Sequence, residues 1–273
     1  MKNTQQYQSE LVNKQLNEYL SPHRACGGGG VDASTGDFTD IGLKLALAGS
    51  HIFFKSLNNL IDLTQHEPIK IETLDTNSDI TELGEIFNTN RSDKAGPHHR
   101  YDLVYQEVCT SLSTQPDLSI LEVGLGSDNP DVVSNTGRGY YQCGASLYSW
   151  AEFFPTARVY GADIDREALI TTDRIKCAYV DQLKPDTFDQ MHIDLGEPTF
   201  DLIVEDGLHS VSASLNTLNY AIKHTRKNGY IILEDLYNPQ DIWQTISALL
   251  TICFNFQSIR LVNSGGLMLI IEV

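Results

Sequence analysis

Short apolar segments alternate with longer amphipathic ones over the second half of the chain. The apolar segments predict buried strands at 118–126, 157–165, 175–180, 200–210 and 230–236. The amphipathic segments predict helices over 145–154, 212–226 and 240–251. Two last apolar runs flank Ser264-Gly265-Gly266 and predict a hairpin. This alternation predicts an α/β fold, doubly wound around a mostly parallel seven-stranded sheet with one antiparallel strand.

The first ninety residues follow a different pattern. A weak helical periodicity over 4–20 precedes four glycines at 27–30. Such glycines could cradle a phosphate, but no strand precedes them and no GK[ST] follows, so they indicate a flexible linker. The stretch 38–63 predicts one or two helices that are more apolar than a single buried face requires. A short strand over 69–73 and a short helix over 79–87 follow. We predict a helical cap or oligomerisation region over 1–90 and the strand–helix domain over 91–273.

Composition narrows the class of protein. The chain has 19 Lys and Arg against 36 Asp and Glu, a formal net charge of −17, which argues against a nucleic-acid partner. No apolar run approaches the roughly 20 residues of a membrane span, and the first residues are too polar for a secretory signal. Five dispersed cysteines suggest neither a zinc site nor disulfides. These features predict a cytoplasmic, reduced protein that binds neither nucleic acid nor membrane.

The first strand of the domain ends in Glu122-Val123-Gly124-Leu125-Gly126. Glycines directly after a strand let the backbone approach a ligand closely. The third glycine of the dinucleotide fingerprint is missing, because Ser127 and the next two residues stand there. A dehydrogenase is therefore disfavoured, and the motif suits S-adenosylmethionine (SAM), which has no phosphates. A purely structural turn is the alternative.

Acidic residues also end the next two strands. Asp163 ends the second strand, where a carboxylate can accept from both ribose hydroxyls. Asp165 competes for this role but is better placed as a helix N-terminal residue. Asp181 and Gln182 follow the third strand, where the adenine amino group would lie. The alternative for each acid is that it is exposed to solvent and caps the helix that follows the strand.

The last two strand ends carry Glu205-Asp206, His209 and Glu234-Asp235. If these strands are neighbours, about 4.8 Å apart, their acids converge at one edge. Clustered carboxylates favour a hard divalent cation, Mg²⁺ foremost. His209, three residues after Asp206, would be placed as a general base. Solvated helix caps, and for His209 a hydrogen-bonded loop histidine, remain the alternatives.

These motifs together resemble a known family. The segments LEVGLGSDNPDVVSN, GASLYSWAEFFPTARVYGADID, DLIVEDGLHS and GYIILEDL resemble the bacterial sugar O-methyltransferases of the mycinamicin and macrocin pathways, over about residues 90–240. The resemblance implies a Rossmann-like class I methyltransferase that uses SAM and Mg²⁺ and methylates sugar hydroxyls of natural products. One departure is Glu205, where relatives have Asp, and the first ninety residues match nothing known to us.

The resemblance also implies roles for individual residues. His209 would be the general base, and Mg²⁺ would be bound by Asp206, Glu234 and Asp235. SAM contacts would come from the strand-end residues and from a segment similar to the family's TDK…HxY stretch, namely Lys94, Tyr101, Glu122, Gly124, Gly126, Gly144, Ser146, Asp163, Asp181 and Gln182. His99 of the same stretch is a weaker candidate.

The sequence thus predicts a homo-oligomeric, Mg²⁺-assisted O-methyltransferase. Its acceptor would be a small molecule bearing a hydroxyl, glycosylated or polyhydroxylated. A catechol-type O-methyltransferase would use the same residue types on aromatic diols. A non-catalytic SAM-binding protein would be expected to lack the metal carboxylates, which this chain retains.

Overall fold

The computed structural model describes residues 69–97, 99–129, 132, 142–236 and 240–273. Within these ranges the strands are β1 (Ile71–Thr73), β2 (Ser119–Val123), β3 (Arg158–Asp163), β4 (Ile175–Tyr179), β5 (Phe200–Glu205), β6 (Thr225–Leu233), β7 (Ser258–Asn263) and β8 (Leu267–Glu272). The α-helices are α1 (Glu82–Thr89), α2 (Asp102–Leu112), α3 (Ala145–Phe153), α4 (Asp186–Leu195), α5 (Val211–His224) and α6 (Gln240–Cys253).

The eight strands in the described ranges belong to one sheet, in the order β1-β7-β8-β6-β5-β2-β3-β4. Only β8 runs antiparallel to its neighbours β6 and β7, and the other described strands are parallel to one another. The predicted doubly wound sheet with one antiparallel strand is confirmed. The sheet has one strand more than the predicted seven, because β1 pairs with β7 at the edge.

Side chains alternate between the two faces of the sheet and build one hydrophobic core on each. Ile120, Val204 and Ile232 pack against α1, α2 and α3 in the first core. Their neighbours Leu121 and Ile203 pack against α4, α5 and α6 in the second. Since the central strands β2 and β5 are buried on both faces, polar side chains at their ends are positioned by a rigid framework.

Several element boundaries differ from those predicted. The helix expected at 79–87 begins at Glu82, because the Thr81 side chain accepts a hydrogen bond from the Gly84 N–H and caps it. The strand predicted at 230–236 starts earlier, at Thr225, as β6, which has Asn228 in the left-handed region. Helices α2 and α4 were not predicted from the sequence.

The predictions for 4–20, 27–30 and 38–63 lie outside the described residues. The described part of the 1–90 region is continuous with the rest, since β1 joins the sheet and Leu83 and Phe87 of α1 lie fully buried in the first core. The boundary at 90 stays a prediction. None of the helices in the described ranges has both the length and the apolar character needed to cross a membrane.

Candidate functional site

Four parallel strands end at the same level on one edge of the sheet. Val123 of β2 pairs with Ala162 of β3 and with Glu205 of β5, and Glu205 pairs with Leu233 of β6. The residues that follow these strands are therefore neighbours. A cavity of about 400 Å³ opens at this edge and is lined by the ends of β2, β3 and β5 and the segment after β4. Parallel α/β sheets bind their ligands at this edge.

The glycine turn after β2 forms one wall of the cavity. Gly124 and Gly126 line it and have φ of +98° and +71°, in the left-handed region. A Cβ on Gly124 would overlap the carbonyl oxygen of Asp206. Gly144, at φ +69° before α3, donates its N–H to the Leu125 carbonyl at 2.8 Å. All three predicted glycines thus stand where a side chain would be strained.

Glu122 lies at the end of β2, facing α3. Its carboxylate accepts from the Ser146 hydroxyl and the Trp150 indole N–H, both at 2.6 Å. These donors are four residues apart and therefore share one face of the helix. Burial raises the pKa of Glu122, although the Lys94 charge and the two hydrogen bonds oppose the rise. Glu122 and Ser146 both line the cavity, and they also fix α3 to β2.

Asp163 organises the turn from the end of β3. Its Oδ2 accepts from the Leu125 N–H at 2.7 Å, and its Oδ1 accepts from the Asp165 N–H at 2.7 Å. Burial raises the pKa of Asp163, opposed by these backbone N–H groups. Each carboxylate oxygen can accept a second bond, so Asp163 can still receive a ligand hydroxyl. Asp165 accepts from the Glu167 N–H at 3.0 Å, in the capping role predicted for it.

Asp181 and Gln182 both line the cavity after β4. Asp181 accepts from the Leu183 N–H at 3.0 Å and pairs with Lys184 at 2.7 Å. Gln182 donates to the Glu205 carboxylate and accepts from the Leu208 N–H, both at 2.8 Å. The Gln182 amide is therefore engaged with the loop that carries Asp206 and His209.

A buried lysine joins three of the strand-end acids. Lys94 Nζ lies 2.7 Å from Asp206 Oδ2, 2.8 and 2.9 Å from the two oxygens of Glu234, and 3.3 Å from Glu122 Oε1. Burial lowers the pKa of Lys94, but the surrounding carboxylates outweigh it and the net shift is well upward. The lysine is therefore a permanent cation inside this cluster.

Two tyrosines hold the acids after β6. The Tyr105 hydroxyl donates to Glu234, and the Tyr101 hydroxyl donates to Asp235. Burial raises the pKa of Glu234 far above its usual range, Asp206 adds to the rise, and Lys94 opposes it. The predicted residues Lys94 and Tyr101 therefore have polar groups directed at the acids that were predicted to bind metal.

His209 lies between two carboxylates at the cavity wall. Its Nε2 is 3.9 Å from Asp206 Oδ1 and 3.8 Å from Asp235 Oδ2. His99 stacks on the Tyr101 ring with centroids 4.7 Å apart, and its Nδ1 is 3.8 Å from Asp235 Oδ1. The structure thus brings the predicted base together with two of the three predicted metal ligands.

The donor set fits a divalent cation. Asp206, His209 and Asp235 each offer a ligand atom, and these atoms lie within 4.8 Å of one another. All three residues line the cavity. Two carboxylates that face a common space, with room for water, match the oxygen ligation that Mg²⁺ prefers. Glu234 stands behind them, engaged by Lys94 and Tyr105.

Two residues that position the site were not predicted, Tyr105 and Trp150. Each follows a predicted residue by one helical turn, Tyr105 after Tyr101 and Trp150 after Ser146. That i, i+4 spacing was the available signal. It was missed because large aromatic residues on a helix usually indicate core packing, and both do lie fully buried in the first core.

The chain is similar to known O-methyltransferases over part of its length. No family model matches the chain. The mycinamicin VI 2''-O-methyltransferase of Micromonospora griseorubida is 32% identical over 160 residues, which are 57% of this chain and 36% of that protein. The demethylmacrocin O-methyltransferase of Streptomyces fradiae is 25% identical over 163 residues, 57% of this chain and 36% of that protein. The chain thus spans little more than a third of the length of these curated relatives.

A solved structure decides the fold. The MycE methyltransferase of the mycinamycin biosynthetic pathway, in complex with Mg, SAH and mycinamycin VI, superposes with a TM-score of 0.57 at 22% identity, over 71% of this chain and 55% of that chain. The chain has the class I methyltransferase fold. The resemblance to sugar O-methyltransferases that the motifs indicate is confirmed by these comparisons. The described cavity lies at the carboxyl ends of the parallel strands of this fold.

Proposed function

We propose that the protein is an O-methyltransferase that uses SAM and Mg²⁺ and methylates a hydroxyl of a sugar or polyhydroxylated natural product. The observation that carries this proposal is a single cavity lined by the glycine turn after β2 and by Asp206, Asp235 and His209. The glycine turn is the feature suited to SAM, and the acids with the imidazole are suited to deprotonating a hydroxyl. Similarity to sugar O-methyltransferases supports the choice of acceptor.

SAM would occupy the part of the cavity at β2, β3 and β4. The backbone of the glycine turn would lie against its methionine part, Asp163 would accept from the ribose hydroxyls, and Asp181 would meet the adenine amino group. Ile164 and Leu183, 45% and 53% exposed, line the same part of the cavity. Apolar side chains left open to solvent in a cavity fit the faces of a purine ring.

Mg²⁺ would be held by Asp206 and Asp235, whose oxygens face the cavity. Glu234, the third acid of the predicted set, accepts hydrogen bonds from Lys94 and Tyr105. Because Asp206 and Asp235 line the cavity and their oxygens lie close to one another, we propose them as the direct protein ligands and give Glu234 a supporting position beside them. Water and the acceptor hydroxyl would complete the shell.

The chain's own residues would orient the acceptor and move one proton. When bound, SAM supplies an activated methyl group, and Mg²⁺ lowers the pKa of a hydroxyl that it coordinates. His209 Nε2 would accept the hydroxyl proton, because imidazole is a suitable base near neutral pH. Asp206 and Asp235, 3.9 and 3.8 Å from Nε2, would stabilise the resulting imidazolium. The cavity would keep the acceptor oxygen aligned for in-line displacement.

An acceptor screen tests this proposal. The full-length protein is incubated with SAM and Mg²⁺ against glycosylated macrolides, simple glycosides and catechols, and methylated products are detected by mass. We expect products from glycosylated or polyhydroxylated acceptors, abolished by EDTA and restored by Mg²⁺. Products from catechols alone would favour the aromatic alternative. Binding of SAM without any methylated product would favour a non-catalytic SAM-binding protein, and turnover in EDTA would refute the metal-assisted mechanism.

We also propose that the protein acts in the cytoplasm as a homo-oligomer, with residues 1–90 as a cap or subunit contact. The cysteines within the described residues, Cys109, Cys143, Cys177 and Cys253, are free thiols, which suits a reducing compartment. The apolar content of residues 38–63 supports a buried contact for that segment.

A further inference from the structure

Lys94 is an almost fully buried cation beside the described cavity. It lies in the short 3-10 helix Asp93–Ala95, and the side chain of the N-cap residue Ser92 accepts a hydrogen bond from the Lys94 N–H. Its side chain is 1% exposed, and its Nζ points at the ends of β2 and β6 and at the loop after β5. A lysine is rarely buried this far unless it is paired.

The three partners of Lys94 share one face of the sheet. Glu122 is in register with Val204 of β5, which is in register with Ile232 of β6. Asp206 and Glu234 come two residues after these positions, and because side chains alternate between faces with a period of two, they lie on the same face as Glu122. An ammonium has three N–H donors and no acceptor. Three carboxylates lie 2.7–3.3 Å from Lys94 Nζ, so each of the three donors has a partner and none is left for a ligand in the cavity.

We propose that Lys94 is a positioning residue, a fixed counter-cation that ties β2 to the acids after β5 and β6. In this role it contacts neither the cofactor nor the acceptor. Its charge offsets the repulsion among the clustered carboxylates and so keeps Asp206 oriented toward the cavity. The inference rests on the proposed function only where it concerns the ion and the cofactor.

The first experiment measures ligand binding by Lys94→Met, with the exposed Lys227→Met as the matched control. The probes are Mn²⁺, S-adenosylhomocysteine (SAH) and 5′-methylthioadenosine, which lacks the amino-acid part of SAH. Removing a positive charge beside Asp206 should tighten Mn²⁺ binding at least about tenfold, because a charge within a few ångströms is weakly screened there. The affinities for SAH and for methylthioadenosine should change by the same factor as each other, since Lys94 would touch neither ligand.

The second experiment measures the melting temperature of the metal-free protein in a double-mutant cycle. Lys94→Met should lower it strongly, because three carboxylates lose their counter-charge. Glu234→Gln keeps the acceptor for Tyr105, and the double variant Lys94→Met/Glu234→Gln should melt higher than Lys94→Met alone. The double variant should also return Mn²⁺ affinity to within about threefold of wild type, because the net charge is restored.

Three results would overturn the inference. A loss confined to SAH, with methylthioadenosine unchanged, would make Lys94 a cofactor contact. Weaker Mn²⁺ binding in a folded Lys94→Met protein would remove its counter-cation role. A double variant no more stable than Lys94→Met would show that Lys94 and Glu234 are not coupled. If wild type binds neither Mn²⁺ nor SAH, the proposed function fails, whereas the metal-free melting cycle still decides the role of Lys94.

Discussion

At the scale of single residues, the backbone directs His209 between two acids. Its φ is +53°, in the left-handed region that few non-glycine residues adopt. The preceding N–H, of Leu208, donates to the Gln182 side chain at 2.8 Å and so anchors the loop. A residue held in strained backbone by its surroundings marks a position where orientation matters.

His209→Ala should therefore lower kcat by roughly 10²–10⁴-fold, the usual contribution of a general base. Binding of Mn²⁺ and SAH should stay within about threefold of wild type, because Asp206, Asp235 and the glycine turn are untouched. Steady-state kinetics and calorimetry measure the two effects, with His192→Ala, outside the cavity, as the control. A near-normal kcat would assign the base to another residue.

The acids of the site could be predicted from the sequence, but their partners could not. Glu122, Asp206 and Glu234 each follow a recognisable apolar strand, and parallel strands end at a common edge. That Lys94 reaches Glu234, 140 positions away, depends on where the segment before α2 crosses the sheet. No local periodicity encodes this crossing, and so the contacts of Lys94 and Tyr101 with the acids could not be predicted from the sequence.

At the scale of elements, α4 and α5 meet through an aromatic cluster. His192 Nδ1 lies 2.9 Å from the Tyr220 hydroxyl, and the His192 and His224 rings are 4.1 Å apart. Burial lowers the pKa of His224, and His192 and Lys223 lower it further, against the charge of Asp189. Protonation of His224 is therefore less favourable in the folded protein than in the unfolded chain.

This shift predicts a pH dependence of stability. The unfolded state binds the His224 proton more readily, so the free energy of unfolding should fall as the pH drops through about 6.5, the pKa of an unperturbed histidine, and below. His224→Gln should remove part of the loss in melting temperature between pH 7.5 and 5.5. Calorimetric scans of both proteins at the two values test this, and equal losses in the two would contradict it.

Strands could be predicted more reliably than helices, for a physical reason. Strands that are buried on both faces, such as β2 and β5, are predominantly apolar runs, a pattern that few other elements show. Helix α4 was missed although Phe188, Met191 and Leu195 follow the i, i+3, i+7 spacing of an amphipathic helix, because Ile193 adds an exposed apolar residue on the opposite face. Helix α2 was missed because it buries a charged residue, Asp102, which forms an ion pair with Arg100 at 2.8 Å.

At the scale of the whole molecule, β1 and α1 join the N-terminal region to the methyltransferase fold. Leu83 and Phe87 lie fully buried in the first core, and Arg100 donates to the carbonyls of Thr76 and Ser78 at 2.8 Å. The segment between β1 and α1 is therefore clamped to the residues just before α2. A deletion that removes only the proposed subunit contact must therefore keep these contacts.

Two truncations separate the cap from the core. Deleting residues 1–68 should leave a folded protein that binds SAH, with a smaller oligomer by light scattering if this segment forms the subunit contact. Deleting 1–90 should cause aggregation, because the loss of α1 exposes the first core. An unchanged oligomer in the shorter deletion would remove the subunit-contact proposal, and a stable 1–90 deletion would refute the role given to α1.

The most direct test of the central claim, that the cavity at the strand ends binds SAM, is calorimetric titration of the full-length protein with SAH. We predict one SAH per chain and no heat from NADH. Asp163→Ala should weaken SAH binding by about tenfold to a hundredfold, the cost of removing a charged hydrogen-bond partner, while the exposed Asp173→Ala should bind as wild type. Absence of SAH binding, or equal affinity in wild type and a folded Asp163→Ala protein, would contradict the account.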